Sequence, residues 1–335
     1  MAGRRARHRA SDARQRVTSL LVFGAAALLY ISYLRPVDGL DRFRTVARLP
    51  VAQLAMNAHG VSGAVRMRFA LPGEILEFPL EVHGDPGRMR YSWLPIRTGR
   101  ATEPRSLATA LVAPNAPGFY RLAVLTDSSL RVFDDLPLAV LVPFSEKSGS
   151  SLNGYRIGRY RAERRPFESK AAPRGFVQVG AGDLDIPVTE HLVIADFVTH
   201  DSQLSWPRYV ALDPRLLDKL ELVFGVLASS SFETGRSTAG VAVDVHSGFR
   251  TPLYNRRVAR SAGESRHQYG DAADIAVDVD RNGRVNASDA RLVATAVELV
   301  EKAHPDLVGG LGLYTRNGAP YVHVDARGSR SRWRG

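Results

Sequence analysis

The sequence predicts three regions in succession: one transmembrane helix, an all-β sandwich, and a C-terminal domain mixing helices with strands. Three observations predict this. An uncharged apolar run stands near the N-terminus. Short alternating segments separated by turn signals fill residues 45–145. Beyond residue 173, helical periodicity is interleaved with alternating strands. With 335 residues, 44% hydrophobic and 24% charged, the chain is long enough for two modest cores and too apolar for disorder.

Residues 1–16 form a basic tail, with six arginines (Arg4, Arg5, Arg7, Arg9, Arg14, Arg16) against Asp12. Val17 to Leu34 is an eighteen-residue run without a charge, just long enough to cross a bilayer. The arginines keep the N-terminus cytoplasmic and send the rest of the chain across the membrane. Tyr30 and Tyr33 suit the far interface, and Arg35-Pro36 ends the helix. No small-x-small cleavage site follows closely, so an uncleaved signal anchor is expected in the inner membrane of a cell envelope, with the remaining domains in the periplasm or outside.

The net charge of +11 is concentrated at the termini, the last residues adding Arg327, Arg330, Arg332 and Arg334. The folded middle is only mildly basic and carries no nucleic-acid motif, so no nucleic-acid partner is expected. The chain has no cysteine. Disulfides, thiolate nucleophiles and Cys-ligated zinc are thereby excluded, and any metal must be held by His, Asp and Glu.

From residue 45 to 145, "GAVRMRFAL", "EILEFPLEV", "RMRYSWLPI", "SLATALVAP", "YRLAVLT" and "LPLAVLVPF" read as strands, with "HGDPGR" and "PNAPG" as turns. "APGFYRLAV" resembles the corner of an immunoglobulin-like sandwich, in which a tyrosine hydroxyl bonds back to upstream backbone. Tyr120 would be that residue. No catalytic constellation appears in this region, which reads as a spacer or binding module. Residues 146–172 are polar and rich in Gly, Ser and Arg, the composition of a linker.

The C-terminal domain, 173–335, opens with "GFVQV" and "HLVIADFVT". A helix follows: Asp213 can cap it, Pro214 takes its first position, and Leu216, Leu217, Leu220, Leu222, Val223 and Val226 recur at helical spacing. "GVAVDVHSGFR" is a strand running into a turn at Ser247-Gly248. Further on, Leu292, Val293, Ala296, Val297 and Val300 share one face of a second helix.

Ser265, His267, Gly270, Ala272 and Asp274 satisfy the spacing S-x-H-x-x-G-x-A-x-D. Gly270 argues against a continuous helix, so a loop entering the strand "DIAVDV" is expected, folding His267 and Asp274 onto one ion. In the strand "APYVHVDARG", Tyr321, His323 and Asp325 point one way and Val322 and Val324 the other. His323 is the natural third ligand. Two histidines and a carboxylate leave zinc a fourth position for water, the catalytic rather than the structural arrangement. Lone histidines are usually structural. His59, His83, His200, His246 and His304 are read that way, and His191 is expected to be buried rather than to line the cleft.

"SGFRTPLYN" (247–255), "SRHQYGDAADI" (265–275) and "YVHVDARG" (321–328), in this order, resemble the zinc D-Ala-D-Ala carboxypeptidase/endopeptidase family of peptidoglycan hydrolases, which shares its metal site with the hedgehog signalling domain. The resemblance covers roughly the last 150 residues. It implies an α+β domain with an antiparallel sheet, zinc on His267, Asp274 and His323, stem peptides of peptidoglycan as substrate, and Arg250 against the substrate or its developing oxyanion. Ser265 and Tyr321 are expected to line the substrate site. Many members place a glutamate general base three residues before the last histidine; here that position is Pro320. Asp325 is the first alternative as base, or equally a partner that orients His323.

Asp278 to Asp289, "DVDRNGRVNASD", matches an EF-hand-type calcium loop of the dockerin kind. Asp278, Asp280, Asn282 and Asp289 supply side-chain oxygens, Arg284 a carbonyl, and Gly283 the sharp turn. The alternative is an ordinary Asp/Asn/Gly turn, with Asn286 and Asp289 capping the next helix. A structural calcium is expected. Three functions are weighed: an anchored, exported zinc peptidase; a metal-containing but non-hydrolytic wall- or protein-binding module; and an envelope assembly protein acting through the sandwich.

Overall fold

The computed structural model describes residues 53–335, apart from 98, 128, 168–169, 234–241 and 317–318. The expected basic tail and transmembrane helix lie outside the described residues. Among the described residues, no helix is long and apolar enough to cross a membrane.

The first part is all β. Its strands are β1 (Gln53–Met56), β2 (Arg68–Ala70), β3 (Ile75–Leu76), β4 (Leu80–His83), β5 (Arg90–Pro95), β6 (Arg105–Ser106), β7 (Leu111–Val112), β8 (Gly118–Leu125) and β9 (Leu130–Val140). They form a five-stranded sheet in the order β2-β9-β8-β5-β6 and two strand pairs, β1-β4 and β3-β7. Alternation in β5 buries Tyr91 and Trp93 into a core with Leu54, Leu122, Val124 and Leu138. Tyr120 Oη donates to the carbonyl of Ala116 at 2.9 Å, the bond back to upstream backbone that its position predicts.

The second part does not begin after a linker. β10 (Val142–Pro143) leaves the all-β part and pairs with β13 (Gly175–Val179), which pairs with β14 (Arg208–Val210). Between them, β11 (Ser151–Leu152) and β12 (Tyr155–Arg156) form a hairpin. Leu152, Tyr155, Ile157 and Tyr160 are buried in the larger core. The polar composition of 146–172 hid four large apolar or aromatic side chains spaced to face inward. Val51–Gly335 is accordingly one compact unit.

The site sheet has the order β15-β16-β18-β17-β19, from β15 (Ala242–Ser247), β16 (Ala272–Asp278), β17 (Gly310–Tyr314), β18 (Tyr321–Asp325) and β19 (Ser331–Arg334). All its pairings are antiparallel except β17 with β19. Two helices, α1 (Pro214–Glu233) and α3 (Ala287–Ala303), pack on one another, and α3 packs on the sheet; α2 (Pro252–Asn255) is a single capped turn. Val245, Ile275, Val277, Val322, Val324 and Leu311 point into the shared core with Leu216, Leu220, Val223, Val293 and Val297. Leu292 differs from expectation: it stands on the exposed side of α3.

Candidate metal centre

The other face of this sheet carries the chemistry. Register pairs Ser247 with Asp274 and Asp274 with His323, so these side chains share a face. Tyr321 and Asp325 lie two residues either side of His323 on the same face. Gly312 pairs with His323, and Trp333 with Gly312. A Cβ on Gly312 would stand 2.4 Å from the indole nitrogen of Trp333, so the missing side chain lets the indole lie across β17 against His323.

His267 comes from a single 3₁₀ turn, Arg266–Tyr269, closed by Gly270 in the left-handed conformation. That turn is where a loop was expected. Gly270 also lies against backbone: a Cβ there would meet the carbonyl oxygen of Ala211 at 2.2 Å. Arg250 is placed by its neighbours. Thr199 Oγ1 donates to the Phe249 carbonyl, Thr251 caps α2, and Arg250 N–H donates to the His267 carbonyl at 3.1 Å.

His267 Nε2, Asp274 Oδ1 and His323 Nδ1 converge, at 3.2 Å, 3.1 Å and 2.9 Å from one another. All three residues are buried. Their remaining polar atoms settle the tautomers. His267 Nδ1 lies 2.7 Å from the Gly248 carbonyl, which can only accept, so Nδ1 carries the proton. His323 Nε2 lies 3.1 Å from Asp325 Oδ2, so it too carries its proton outward. Two ring lone pairs and a carboxylate oxygen are left facing each other with no donor between them. Only a cation, or a captured proton, reconciles three acceptors at that spacing. Ligands at zinc's usual distance of about 2.0–2.1 Å stand about 3.3–3.4 Å apart in a tetrahedron, so the cluster needs little expansion to hold one.

The electrostatics agree. Burial pushes His267 below its ordinary pKa. Burial opposes protonation of His323 as well, but its bonds to Asp274 and Asp325 prevail and raise it. Burial would also raise Asp274; the charges and hydrogen bonds of the two histidines outweigh it and hold the carboxyl far below its usual range. Arg250 grips the outer oxygen, Asp274 Oδ2, and its Nε donates to Ser247 Oγ at 2.7 Å. Asp274 Oδ1 is thereby left to the cluster.

Asp325 is fully buried behind His323, on the side away from the cluster. Its oxygens accept from Gly310 N–H at 2.7 Å and from Arg327 Nε at 2.9 Å. A carboxylate so placed orients the imidazole; of its two expected roles, the base role does not fit this position. Tyr321 lies beside the cluster, stacked on Tyr314 with centroids 4.4 Å apart. Burial, with Asp274 and Tyr314 adding, pushes its hydroxyl up to about 12. Ser265 precedes the 3₁₀ turn, half-buried, its carbonyl accepting from Gln268 N–H. His191 is not buried as expected: it is exposed and held by Glu221 at 2.8 Å. Trp333 and Tyr314 were not singled out, although the alternation Tyr321-x-His323 extended across the sheet would have reached them; His246 was read as structural, yet its ring lies 5.8 Å from that of Tyr321.

The carboxylates of Asp278, Asp280 and Asp289 form a second cluster. Asn282 and Gly283 N–H groups donate to Asp278 at 3.1 and 2.7 Å, with Gly283 in the left-handed region. Arg284 N–H donates to Asn282 Oδ1. Asn286 caps α3 and Asp289 returns the bond to Asn286 N–H at 2.9 Å. This capping box is the arrangement expected of Asn286 and Asp289 as helix caps.

A buried two-histidine, one-carboxylate cluster, opening onto a face lined by arginine and aromatics, is the constellation of a metal-dependent hydrolase. Residues 225–325 match the family described as Peptidase M15, a stretch that contains Arg250 and all three converging residues. The match supports an M15-like metallopeptidase domain, a family that generally uses zinc. No curated protein and no solved structure matches the chain.

Proposed function

We propose that the chain is an envelope-anchored peptidase that hydrolyses stem peptides of peptidoglycan, with zinc held by His267, Asp274 and His323. The observation that carries this reading is the set of three lone-pair atoms within 3.2 Å of one another on an otherwise polar, aromatic-lined sheet face. When bound there, zinc supplies Lewis acidity and a water of lowered pKa. Arg250, fixed by Ser247 and Asp274, presents its guanidinium beside the cluster, where it can hold a peptide carboxylate or a developing oxyanion. Tyr321, stacked on Tyr314, forms an apolar wall for the substrate backbone. Asp325 keeps His323 in the ligating tautomer.

An anchor at Val17–Leu34, supported by its uncharged apolar run and the arginines before it, would put this activity outside the cytoplasmic membrane. The Tyr120 bond supports an immunoglobulin-like reading of the all-β part as a wall-facing or spacer module. A structural calcium in the Asp278–Asp289 loop would brace the corner between β16 and α3.

The test is incubation of the purified chain with isolated peptidoglycan, with and without zinc, followed by mass analysis of released muropeptides. Zinc-dependent products that vanish in His267→Ala are expected, and their masses identify the bond. A folded, zinc-loaded protein that releases nothing would make the non-hydrolytic binding module the better account. That second reading draws on Pro320, where many members of the resembled peptidase family place a glutamate, and on the engagement of Asp325 elsewhere.

A further inference from the structure

A peptidase of this kind needs a group that takes a proton from water and returns it to the departing amine. Most titratable groups on the cluster's face are already committed. Asp274 and His323 belong to the cluster, Asp325 is bound by Arg327 and Gly310, and Asp278 is bound by the loop that follows it. His246 is not committed in this way.

The backbone brings His246 there by a β-bulge. Val245 pairs with Ile275 and Ser247 with Asp274, so His246 is the extra residue between them. A bulge re-aims the inserted side chain, and bulges concentrate near active sites. The ring of His246 turns to the cluster's face and lies over Tyr321, centroids 5.8 Å apart. Its Nε2 meets Asp244 Oδ2 at 2.9 Å, which leaves Nδ1 for a substrate. The imidazole is part-exposed, its side chain at 31%. The groups around it are Asp244 from its own strand, Tyr321 from β18, and Asp196 from the turn Ile194–Phe197, whose carboxyl feels Asp244.

We propose that His246, its Nε2–H held by Asp244, is the catalytic proton carrier of this centre. The assignment rests on the peptidase reading. As the water oxygen bonds to the scissile carbonyl carbon, His246 Nδ1 takes the water's proton. When the C–N bond breaks, the same proton passes to the amine nitrogen, giving one carboxylic acid and one amine. Asp244 stays ionised throughout and fixes the tautomer.

The experiment uses the zinc-loaded full chain on isolated peptidoglycan. His246→Ala is expected to lower kcat about 100-fold or more, with KM within about threefold and zinc content unchanged, and added imidazole restores part of the rate. Asp244→Asn is expected to lower kcat about tenfold and to add nothing to His246→Ala. A second readout is independent of turnover. The His246 ring resonances are expected to shift when a phosphinic-acid dipeptide is added to the zinc-loaded protein. An active wild type whose His246→Ala variant keeps its rate, or His246 resonances indifferent to the phosphinate, overturns the assignment alone. An inactive wild type overturns the peptidase reading and the assignment together.

Discussion

His267 and His323 each give one ring nitrogen to a protein acceptor and keep the other for the cluster, and it is the acceptors that choose which. Replacing Asp325 by Asn is expected to weaken metal affinity about 10- to 100-fold without preventing folding, read by competition with a chelating dye. The same residue sets part of the acid limit. Burial would raise the Asp325 carboxyl, but bonds from His323, Arg327 and Gly310 N–H hold it far below its usual range. Its pairing therefore stabilises the fold in full above about pH 4, the ordinary carboxylate value, and is lost as pH falls further. Melting curves between pH 6 and 3 should show a smaller loss of Tm in Asp325→Asn than in the wild type. The three converging residues were legible in the sequence because zinc chemistry restricts ligand types in a cysteine-free chain. Which of the two expected roles Asp325 takes was not, because that depends on Arg327 and on a backbone N–H of the neighbouring strand, Gly310 of β17. Likewise a bulge that turns His246 leaves no mark in composition.

The site sheet works as an element because its two faces are sorted residue by residue: Val322 and Val324 meet the helices while Tyr321, His323 and Asp325 take the opposite face, Asp325 buried behind His323. That alternation was readable. What was not readable is why a glycine alternates opposite it in β17. Gly312→Ala would drive a methyl into Trp333, so the indole must leave His323. Loss of about 1–3 kcal/mol from overpacking is expected, measured by denaturant titration. Beneath the sheet, Lys219 is fully buried and donates at 2.7 Å both to Glu301 and to the Asp325 carbonyl. It ties α1 and α3 to the end of β18. Lys219→Ala leaves Glu301 buried with one partner fewer and is expected to cost about 3–5 kcal/mol. A lysine in a leucine-rich helix reads as a solvated residue, so only the fold exposes this tie. For the loop between β16 and α3, added calcium should raise Tm in the wild type, and Asp280→Ala should abolish the rise.

At the scale of the molecule, the two parts share a core instead of flanking a tether. Asp218 of α1 accepts N–H bonds from Val61 and Ser62 at 2.6 and 2.7 Å, fixing a loop of the all-β part to the helix under the site sheet. Leu152, Tyr155, Ile157 and Tyr160 are buried in that shared core. At about 1.5–3 kcal/mol for each large side chain, these four rival the whole stability of a typical domain, about 5–15 kcal/mol. A fragment starting at residue 173 is therefore expected to be insoluble or to melt well below the intact unit, whereas cleavage at a true linker would change neither. Strand-like patterns were legible here, but the arginines of 156–165 masked the inward positions. The segment also reaches the metal centre's own loop: Tyr160 Oη donates to the Gln268 carbonyl at 2.8 Å, and the Ile157 carbonyl accepts from Leu253 N–H at the same distance. The segment thus belongs to the scaffold of the loops that carry His267 and Arg250. In a lineage that shuffles modules, a crossover inside this stretch would part the loop from its anchor, so a new N-terminal module could be exchanged only together with residues 151–160, or upstream of them.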